Sequence, residues 1–279
     1  MGPSGQERPH LLFDDGNALD VSADVGDFDP AFFGRDGLNA LRTLGDGERH
    51  RAVQIGNSRF GPPVSRPGKI VCIGLNYASH AAESGAPIPK EPVVFFKSSN
   101  TLIGPNDDVR IPRGSTKTDW EVELGVVIGR TCRYLESDDD ALAAIAGYMV
   151  CHDVSEREFQ LERGGQWDKG KSCETFNPAG PWLLTADDGT DFADLDLWLN
   201  VNGERRQFGR TKDMIFGVAE VIRYLSQFMV LDPGDIINTG TPPGVALGMP
   251  GQPYLRAGDV VELGITGLGA QRQRFIPAP

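Results

Sequence analysis

The sequence predicts a mixed, β-rich α+β fold in which a small N-terminal domain precedes a larger domain. Its 35 glycines and 20 prolines interrupt short apolar runs that have the length of strands. These runs do not alternate regularly with helical segments, so the pattern does not favour a parallel βαβ architecture. The stretch RFGPPVSRPGK (residues 59–69) has three prolines, two glycines and no hydrophobic periodicity, which is typical of a linker. We therefore expect an N-terminal domain over residues 1–66 and a main domain over residues 67–279.

The individual elements follow from local patterns in chain order. HLLFDDGNALDV predicts a hairpin around Asp15-Gly16, and a helical stretch is expected within residues 30–44. In the main domain, buried strands are predicted at KIVCIGL, PVVFF, DWEVELGVVIG and MVCHDV. LDLWLNVNGERRQF predicts a hairpin through Asn202-Gly203. Helices are expected at SHAAES (with Ser79 as its cap), SDDDALAAIAGY, SEREFQLERG and GVAEVIRYLSQF, and closing strands at DIINTG, DVVELGI and QRQRF.

Composition and charge narrow the class of protein. The net charge of −12 argues against a nucleic acid or an anionic membrane as a partner. The N-terminal MGPSGQERPHLLF lacks an apolar core of signal-peptide length, and no stretch approaches the ~20 apolar residues of a membrane span. The four cysteines form no C-x-x-C pair and lie beside apolar residues, as reduced, buried thiols do. These features predict a cytoplasmic protein, in which an acidic substrate would need a local positive group.

GQWDKGKS (residues 165–172) matches the phosphate-binding pattern G-x-x-x-x-G-K-[ST]. Such a loop needs a buried strand before it and a helix that begins at its Lys-Ser, so that backbone amides meet the phosphates. Here the polar segment FQLERGG precedes the pattern, and two prolines in SCETFNPAGP forbid a long helix after it. We therefore expect no nucleotide cofactor, and we expect the glycines to let this loop approach a small acid closely.

Two carboxylates stand close together in DWEVELG. Glu121 and Glu123 are two residues apart on a predicted strand, so both side chains point to the same face. They are ordinary residues of a solvated strand face in one interpretation. In the other, because their neighbours are strongly apolar, they repel each other unless a cation lies between them. A hard divalent ion such as Mg²⁺ or Mn²⁺ accepts carboxylate oxygens and keeps positions open for water or substrate.

A third acid follows in CHDVSEREFQ. Asp153 ends an apolar run, where a strand delivers a side chain to a site. If the next segment is helical, Asp153, Arg157 and Gln160 share one face, at spacings of four and seven residues. The alternative is a helix cap with an ordinary ion pair. In the first interpretation, three carboxylates bind a metal ion, and Arg157 adds the positive charge that an acidic protein lacks.

Two further segments contain candidate catalytic groups. His80 and Glu83 in NYASHAAES are neighbours on a helix, and a histidine oriented by a carboxylate can act as a general base that activates water. Surface helices also carry such pairs by chance. In NTGTPPGV (residues 238–245), backbone amides and the hydroxyls of Thr239 and Thr241 could bind a carboxylate or an oxyanion, or the segment could be a structural turn.

Taken in order, these segments resemble the fumarylacetoacetate hydrolase family over residues 69–275. The resemblance depends on CIGLNYASHAAE, FFKSSNTLIGP, DWEVELGVVIG, CHDVSEREFQ, KGKSCETFNPAGP, NTGTPPGV and GDVVELGITGLG. It implies a β-roll catalytic domain, a homodimer and one Mg²⁺ or Mn²⁺ ion per subunit. GGQWDKGKSCETFNPAGPWL and LDLWLNVNGERRQ are most similar to the branch of 2,4-diketo-3-deoxy sugar acid hydrolases.

The resemblance also implies roles for individual residues. The metal ligands are Glu121, Glu123 and Asp153. The catalytic residues are Lys171 and a water-activating pair on a lid, His80 and Glu83. The residues that handle the substrate's oxygens are Arg157, Gln160 and Thr241. The chain departs from the family pattern where Leu75 replaces an arginine and Ser98 replaces a proline, which bears on substrate choice and leaves the metal ligands intact.

The activity implied is metal-dependent hydrolysis of a C–C bond in a 2,4-diketo acid, such as 2,4-diketo-3-deoxy-L-rhamnonate or -fuconate, to pyruvate and a second acid. Two other activities use similar chemistry: decarboxylation of oxaloacetate, and isomerisation or decarboxylation of an aromatic-degradation intermediate. A catalytically inactive relative that binds a metal ion or a keto acid is the non-enzymatic alternative. The substrate class is a small keto acid in each enzymatic case.

Overall fold

The structure is a computed structural model of residues 1–279, and it is rich in short strands, as the frequent glycines and prolines predict. The strands are β1 (His10–Leu12), β2 (Asn17–Asp20), β3 (Val53–Gln54), β4 (Ile70–Gly74), β5 (Val93–Lys97), β6 (Leu102–Ile103), β7 (Val109–Ile111), β8 (Thr118–Asp119), β9 (Val122–Ile128), β10 (Ile145–His152), β11 (Ser155–Glu156), β12 (Asn177–Pro178), β13 (Leu184–Thr185), β14 (Asp196–Val201), β15 (Glu204–Arg210), β16 (Ile236–Asn238), β17 (Val260–Ile265) and β18 (Gly269–Pro277).

The helices are short and scattered between the strands. They are α1 (Ser22–Val25), α2 (Pro30–Gly34), α3 (Gly37–Glu48), α4 (Ala78–Glu83), α5 (Asp138–Leu142), α6 (Asp168–Lys171) and α7 (Val218–Leu225). A π-helical turn covers Glu158–Glu162, and 3₁₀ turns cover Arg49–Arg51, Ser99–Thr101, Thr211–Asp213 and Ala246–Gly248. None of the helices combines the length and the apolar composition that crossing a membrane requires.

Two larger sheets form the centre of the structure. One has six strands in the order β13-β10-β9-β16-β4-β5, and the other has five in the order β15-β14-β17-β18-β7. Most neighbouring strands are antiparallel, but β16 runs parallel to β4 and β18 runs parallel to β7. Strands β9 and β10 pack against β14, β17 and β18, so the main hydrophobic core lies between the two sheets. This arrangement confirms the predicted β-rich α+β class.

Strand β9 lies in the middle of the six-stranded sheet and is buried along its whole length. Val122, Leu124 and Val126 belong to the main core shared with the five-stranded sheet. Because side chains alternate along a strand, Glu123 points to the opposite face, in line with Val127 of the second core cluster. The period of two thus separates the apolar packing from the face that carries the acidic side chains.

The N-terminal segment covers part of that opposite face. Strands β1, β2 and β3 form a separate three-stranded sheet, and Leu19, Phe32 and Phe33 share the second core cluster with Val127 and Met149 of the six-stranded sheet. No strand or helix lies between β3 and β4, the region of the expected linker. The division of the chain at residue 66 stays a prediction.

The hairpins agree with their local sequence signals. Strands β1 and β2 pair antiparallel around Asp15-Gly16, and β14 and β15 pair around Asn202-Gly203. Asn202 and Gly203 have φ angles of 51° and 81°, the left-handed conformation that this turn requires.

Three helix expectations were wrong in detail. SEREFQLERG forms strand β11 and a π-helical turn, and the second half of SDDDALAAIAGY belongs to strand β10. Ser79 lies inside α4, whose N-cap is Tyr77. Strand β10 pairs with both β9 and β13, so burial in the sheet overrides the helical tendency of its alanines.

The close packing around β9 predicts a strong effect of Gly125→Ala. A Cβ atom at this position would lie 2.4 Å from Cys151 Sγ and 3.2 Å from Met149 Cγ. We expect overpacking to lower the free energy of unfolding by about 2 kcal/mol, measured by chemical denaturation. The matched control is Gly47→Ala in α3, where nothing lies within 4 Å of the new Cβ. It should leave stability unchanged or raise it by up to about 1 kcal/mol; a similar loss in both variants would contradict this account.

Candidate active site

The three predicted acidic ligands meet at one end of the two central strands. Glu121 directly precedes β9, Glu123 lies within it, and Asp153 directly follows β10. The Asp153 amide donates to the Glu121 carbonyl over 3.0 Å, which holds these strand ends side by side. One carboxylate oxygen from each of the three side chains lies within 4.8 Å of the others, and all three residues are buried.

Two buried lysines lie against this acidic cluster. Lys171 Nζ donates to Glu121 Oε2 and to Asp153 Oδ2, both over 2.8 Å. Lys97 Nζ donates to the other oxygen of Asp153 and, over 3.0 Å, to the Val154 carbonyl. Asp153 is thus held by two ammonium groups from different segments of the chain.

Arg157 brings a third cation and connects the cluster to Asp119. Its Nε donates to Asp119 Oδ2 over 2.8 Å, and its Nη1 donates to Gln160 Oε1 over 3.0 Å. Its Nη2 forms an ion pair with Glu121 Oε1 over 2.7 Å. Asp119 also accepts from the amides of Ala246 and Leu247, over 2.8 and 3.0 Å.

The charges in this network do not cancel. Four carboxylates (Asp119, Glu121, Glu123 and Asp153) face three cations (Lys97, Arg157 and Lys171), so one negative charge is in excess when all four carboxylates are ionised. Burial, together with the charges of Asp153 and Glu121, raises the pKa of Glu123 well above its usual value. Burial also opposes ionisation of Glu121, but Lys171 and Arg157 more than offset it and lower the pKa of Glu121. A hard divalent cation among three such carboxylates would balance the excess charge.

His80 and Glu83 form the predicted pair on the short helix α4. His80 Nδ1 lies 2.8 Å from Glu83 Oε1, and because a carboxylate can only accept, Nδ1 carries the hydrogen. In the neutral imidazole with this hydrogen, Nε2 has the free lone pair. Glu83 also accepts from the Gly244 amide with both oxygens, over 3.0 and 2.9 Å. The Glu83 side chain therefore orients the imidazole and also attaches α4 to the segment after β16.

The turn NTGTPPGV uses most of its donors within the protein. The Gly240 amide donates to Glu123 Oε2 over 2.8 Å. The hydroxyls of Thr239 and Thr241 donate to the carbonyls of Leu124 and Val122, both over 2.9 Å. Thr241 lines the cavity of the site, but its hydroxyl would have to give up its bond to Val122 before donating to a substrate.

One small cavity joins most of the predicted residues. It has a volume of about 160 Å³, and its polar lining includes His80, Glu121, Glu123, Arg157, Gln160, Lys171 and Thr241. Glu83 and Asp153 lie just behind this lining, each bonded to one of its members. The structure therefore brings all nine predicted residues into one site.

The nucleotide-loop pattern has a different local structure. Helix α6, which ends at Lys171, has only four residues, and the Ser172 hydroxyl accepts a hydrogen bond from the Ser98 amide. Lys171 is almost fully buried, and its ammonium group contacts carboxylates of the protein. In this structure the Gly-Lys-Ser match is therefore part of the acidic site.

Sequence reasoning missed two residues of the network, Lys97 and Asp119. Both carried a readable signal. Lys97 directly follows the apolar run PVVFF, just as Asp153 directly follows an apolar run. Asp119 lies two residues before Glu121, so a strand period of two places it on the same face as the two glutamates. Their partners are distant in sequence, so no local pattern reveals the contacts.

Comparisons with known proteins agree with this fold. Residues 69–276 match the family model described as fumarylacetoacetate (FAA) hydrolase C-terminal. A Burkholderia multivorans protein, named provisionally as a hydrolase, is 54% identical over 273 residues, which cover 98% of this chain and 96% of the relative.

Solved structures give the same result. The fumarylacetoacetate hydrolase of psychrophilic Exiguobacterium antarcticum is 31% identical, with a TM-score of 0.83 over 99% of this chain and 98% of that chain. The 2-hydroxyhepta-2,4-diene-1,7-dioate isomerase of Mycobacterium marinum is 36% identical, with a TM-score of 0.71 over 81% of each chain. Fold and site thus define a protein of the superfamily that contains these hydrolases and isomerases. The chain belongs to the fumarylacetoacetate hydrolase family, as the sequence motifs predicted.

The Asp119 contacts predict a large effect of Asp119→Asn on stability. The amide group would replace one acceptor oxygen with a donor that faces other donors, and Arg157 would lose a buried counter-charge. We expect a loss of about 3 kcal/mol in the free energy of unfolding, measured by urea denaturation. Asp46→Asn, at an exposed position of α3, should change it by less than about 0.5 kcal/mol. Equal stabilities of the two variants would refute the structural role of Asp119.

Proposed function

We propose that the protein is a divalent-metal-dependent hydrolase that cleaves a C–C bond of a 2,4-diketo acid and releases pyruvate and a second acid. The observation that carries this proposal is the His80–Glu83 pair at the same cavity as the three clustered carboxylates. The first can activate a water molecule, and the second can hold a cation that binds a keto acid. Family membership supports both parts.

Glu121, Glu123 and Asp153 would hold the ion, one Mg²⁺ or Mn²⁺ per subunit. Their oxygen donors suit a hard divalent cation, and the excess negative charge of the buried network favours one. When bound, the ion would supply a Lewis acid for the carboxylate and the 2-oxo group of the substrate. The orientation of the three ligands depends on Lys171, which bonds to Glu121 Oε2 and Asp153 Oδ2, and on the Gly240 amide, which bonds to Glu123 Oε2.

His80 acts as the general base in this proposal. Its Nδ1–H group donates to Glu83, so Nε2 accepts a proton from water as the water oxygen attacks C4 of the substrate. The oxygen of the 4-oxo group then becomes an oxyanion. Arg157 and Gln160 line the cavity and carry N–H donors that can stabilise this charge. Thr241 stays a candidate contact to the substrate.

The C3–C4 bond then breaks, and its electron pair passes to C3 and the 2-oxo oxygen as a pyruvate enolate. Lys171 lies beside the acidic cluster and stabilises this developing negative charge. The proton taken from water is transferred from His80 to C3. Pyruvate and the second acid therefore account for all atoms of the substrate and the water molecule.

Decarboxylation of oxaloacetate is the second candidate, and it needs a bound ion and enolate stabilisation but no attacking water. Isomerisation or decarboxylation of an aromatic-degradation intermediate is a third candidate, since one structural relative is named as an isomerase of an unsaturated dioate. The oriented histidine base favours hydrolysis. A catalytically inactive relative that only binds a metal ion or a keto acid would not need the oriented His80 base. The sugar-acid branch, the homodimer and the cytoplasmic location stay predictions from the sequence.

The role of His80 predicts different effects on two reactions. His80→Ala should lower kcat for pyruvate release from 2,4-dioxopentanoate by at least ~100-fold, because no other group is placed to activate water. Any decarboxylation of oxaloacetate should change by less than about 3-fold, since it uses no water attack. Pyruvate is measured by coupled reduction, with His50→Ala on the exposed surface as the control. Unchanged cleavage in His80→Ala, or no pyruvate from either compound with wild type, would refute the proposal.

The metal site predicts a selective loss of binding in Glu123→Gln. Removing one of three carboxylates should weaken Mn²⁺ binding by at least ~10-fold in calorimetry and abolish the rise in melting temperature that a bound ion causes. Chelation of the wild type should stop turnover, and added Mg²⁺ or Mn²⁺ should restore it. Glu220→Gln, at an exposed position of α7, should bind Mn²⁺ like the wild type. Equal Mn²⁺ affinity in both variants would refute the ligand assignment.

A further inference from the structure

Six large apolar side chains form one wall of the cavity. They are Ile73, Leu75, Phe95, Leu161, Trp167 and Leu247. Ile73 and Phe95 are buried, whereas Leu161 is 42% exposed. The wall thus extends from the interior to the surface, along the path that a substrate's distal end would follow.

Contacts between side chains make this wall continuous with the acidic site. Lys171 Nζ lies 4.9 Å from the centre of the Phe95 ring, and the rings of Phe95 and Trp167 are 5.4 Å apart. Trp167 packs directly over Gly74, where a Cβ atom would come within 2.6 Å of the indole. Leu75 follows Gly74, so apolar surface begins at the lysine and reaches the mouth of the cavity.

Leu75 is held in an unusual backbone conformation at this wall. Its φ angle is 55°, in the left-handed region that bulky residues avoid. The neighbouring Asn76 fixes it there: its side-chain amide donates to the carbonyls of Phe216 and Thr239, and its oxygen accepts from the Phe216 amide. Strain of this kind persists where the surrounding structure determines it, and it is frequent at ligand-binding sites. The Leu75 side chain is therefore held at a fixed place in the lining of the cavity.

The charged groups leave no free cation for the distal end of a substrate. Arg157 and Lys171 are the cations that line the cavity, and both lie against the acidic cluster. On the adjacent segment, Lys169 Nζ donates to the Arg163 carbonyl over 2.6 Å, and Arg163 pairs with Glu158 over 2.7 Å. A second carboxylate beyond the diketo-acid head would meet the apolar wall and the Ser84 hydroxyl, with no cation of the lining free to pair with it.

The size of the cavity also limits how much of the substrate it can enclose. Its volume of about 160 Å³ is close to that of an engineered protein cavity of ~150 Å³ that binds benzene. A diketo-acid head fills most of such a space. Within the cavity, the group beyond C4 therefore has room for only a few carbon atoms, and a longer group would pass Leu161 to the surface.

We infer that the protein cleaves 2,4-diketo acids whose group beyond C4 is short and uncharged, with Leu75 as a residue that determines this specificity. The inference rests on the proposed function for the diketo-acid head. It excludes tails with a second carboxylate, such as the dioate in the name of one structural relative.

Three compounds test the inference: 2,4-dioxoheptanoate, 5-hydroxy-2,4-dioxohexanoate and 2,4-dioxoheptanedioate. They share the head, and only the dioate carries a charge beyond C4. With Mn²⁺ present and pyruvate detected by coupled reduction, kcat/KM for each of the two compounds with an uncharged tail should exceed that for the dioate by at least ~10-fold. Equal or higher efficiency with the dioate would overturn the inference while leaving the proposed function intact.

Leu75→Arg places a cation in the apolar wall. It should shift the kcat/KM ratio of the dioate to the monoacid by at least ~10-fold in favour of the dioate. Leu142→Arg adds the same charge at an exposed position of α5 outside the cavity and should leave the ratio unchanged. The same ratio in both variants would remove Leu75 from the assignment.

If the wild type cleaves none of the three compounds, the proposed function fails, and binding then tests the inference separately. Calorimetry with Mn²⁺ compares 2-oxohexanoate with 2-oxohexanedioate, which have the same length and differ in one terminal carboxylate. Binding of the monoacid that is at least ~10-fold tighter supports an apolar subsite. Equal affinities, or tighter binding of the dioate, overturn it.

Discussion

The ammonium group of Lys171 between Glu121 and Asp153 is the interaction on which the site depends. Two carboxylates from the ends of neighbouring strands would repel each other in a buried space, and one cation bonded to both removes that repulsion. Lys97 and Arg157 extend the same principle to Asp153 and Asp119. The acidic ends of β9 and β10 can lie side by side because Lys97, at the end of β5, and Lys171, at the end of α6, bond to their carboxylates.

The parts of the fold that were predictable depend on local chemistry. The Asn202-Gly203 turn requires a left-handed backbone, and an Asn-Gly pair is a residue pattern that predicts this conformation. The end of SDDDALAAIAGY was not predictable, because its alanines become a strand only through pairing with β9 and β13. The same holds for the order of the six-stranded sheet, in which β16 lies between β9 and β4, far apart in the sequence.

In the site, too, local patterns were predictable and contacts between distant segments were not. A period of two identified the shared face of Glu121 and Glu123, and a spacing of three identified the His80–Glu83 contact. Lys97 was missed because its partner Asp153 is 56 residues away. Thr241 illustrates a different limit: its position in the cavity followed from the motif, but the engagement of its hydroxyl with Val122 is visible only in three dimensions.

The buried charges and the half-exposed apolar wall also differ in how freely they can change. Every charged side chain of the network bonds to others, so a substitution there disturbs several residues at once. Leu161 reaches the surface, where substitutions cost little stability. Natural variation can therefore alter the wall while the charged network is retained. One set of charged residues can in this way act on many substrates. A family that shares this fold can therefore change its substrates and keep the same catalytic groups.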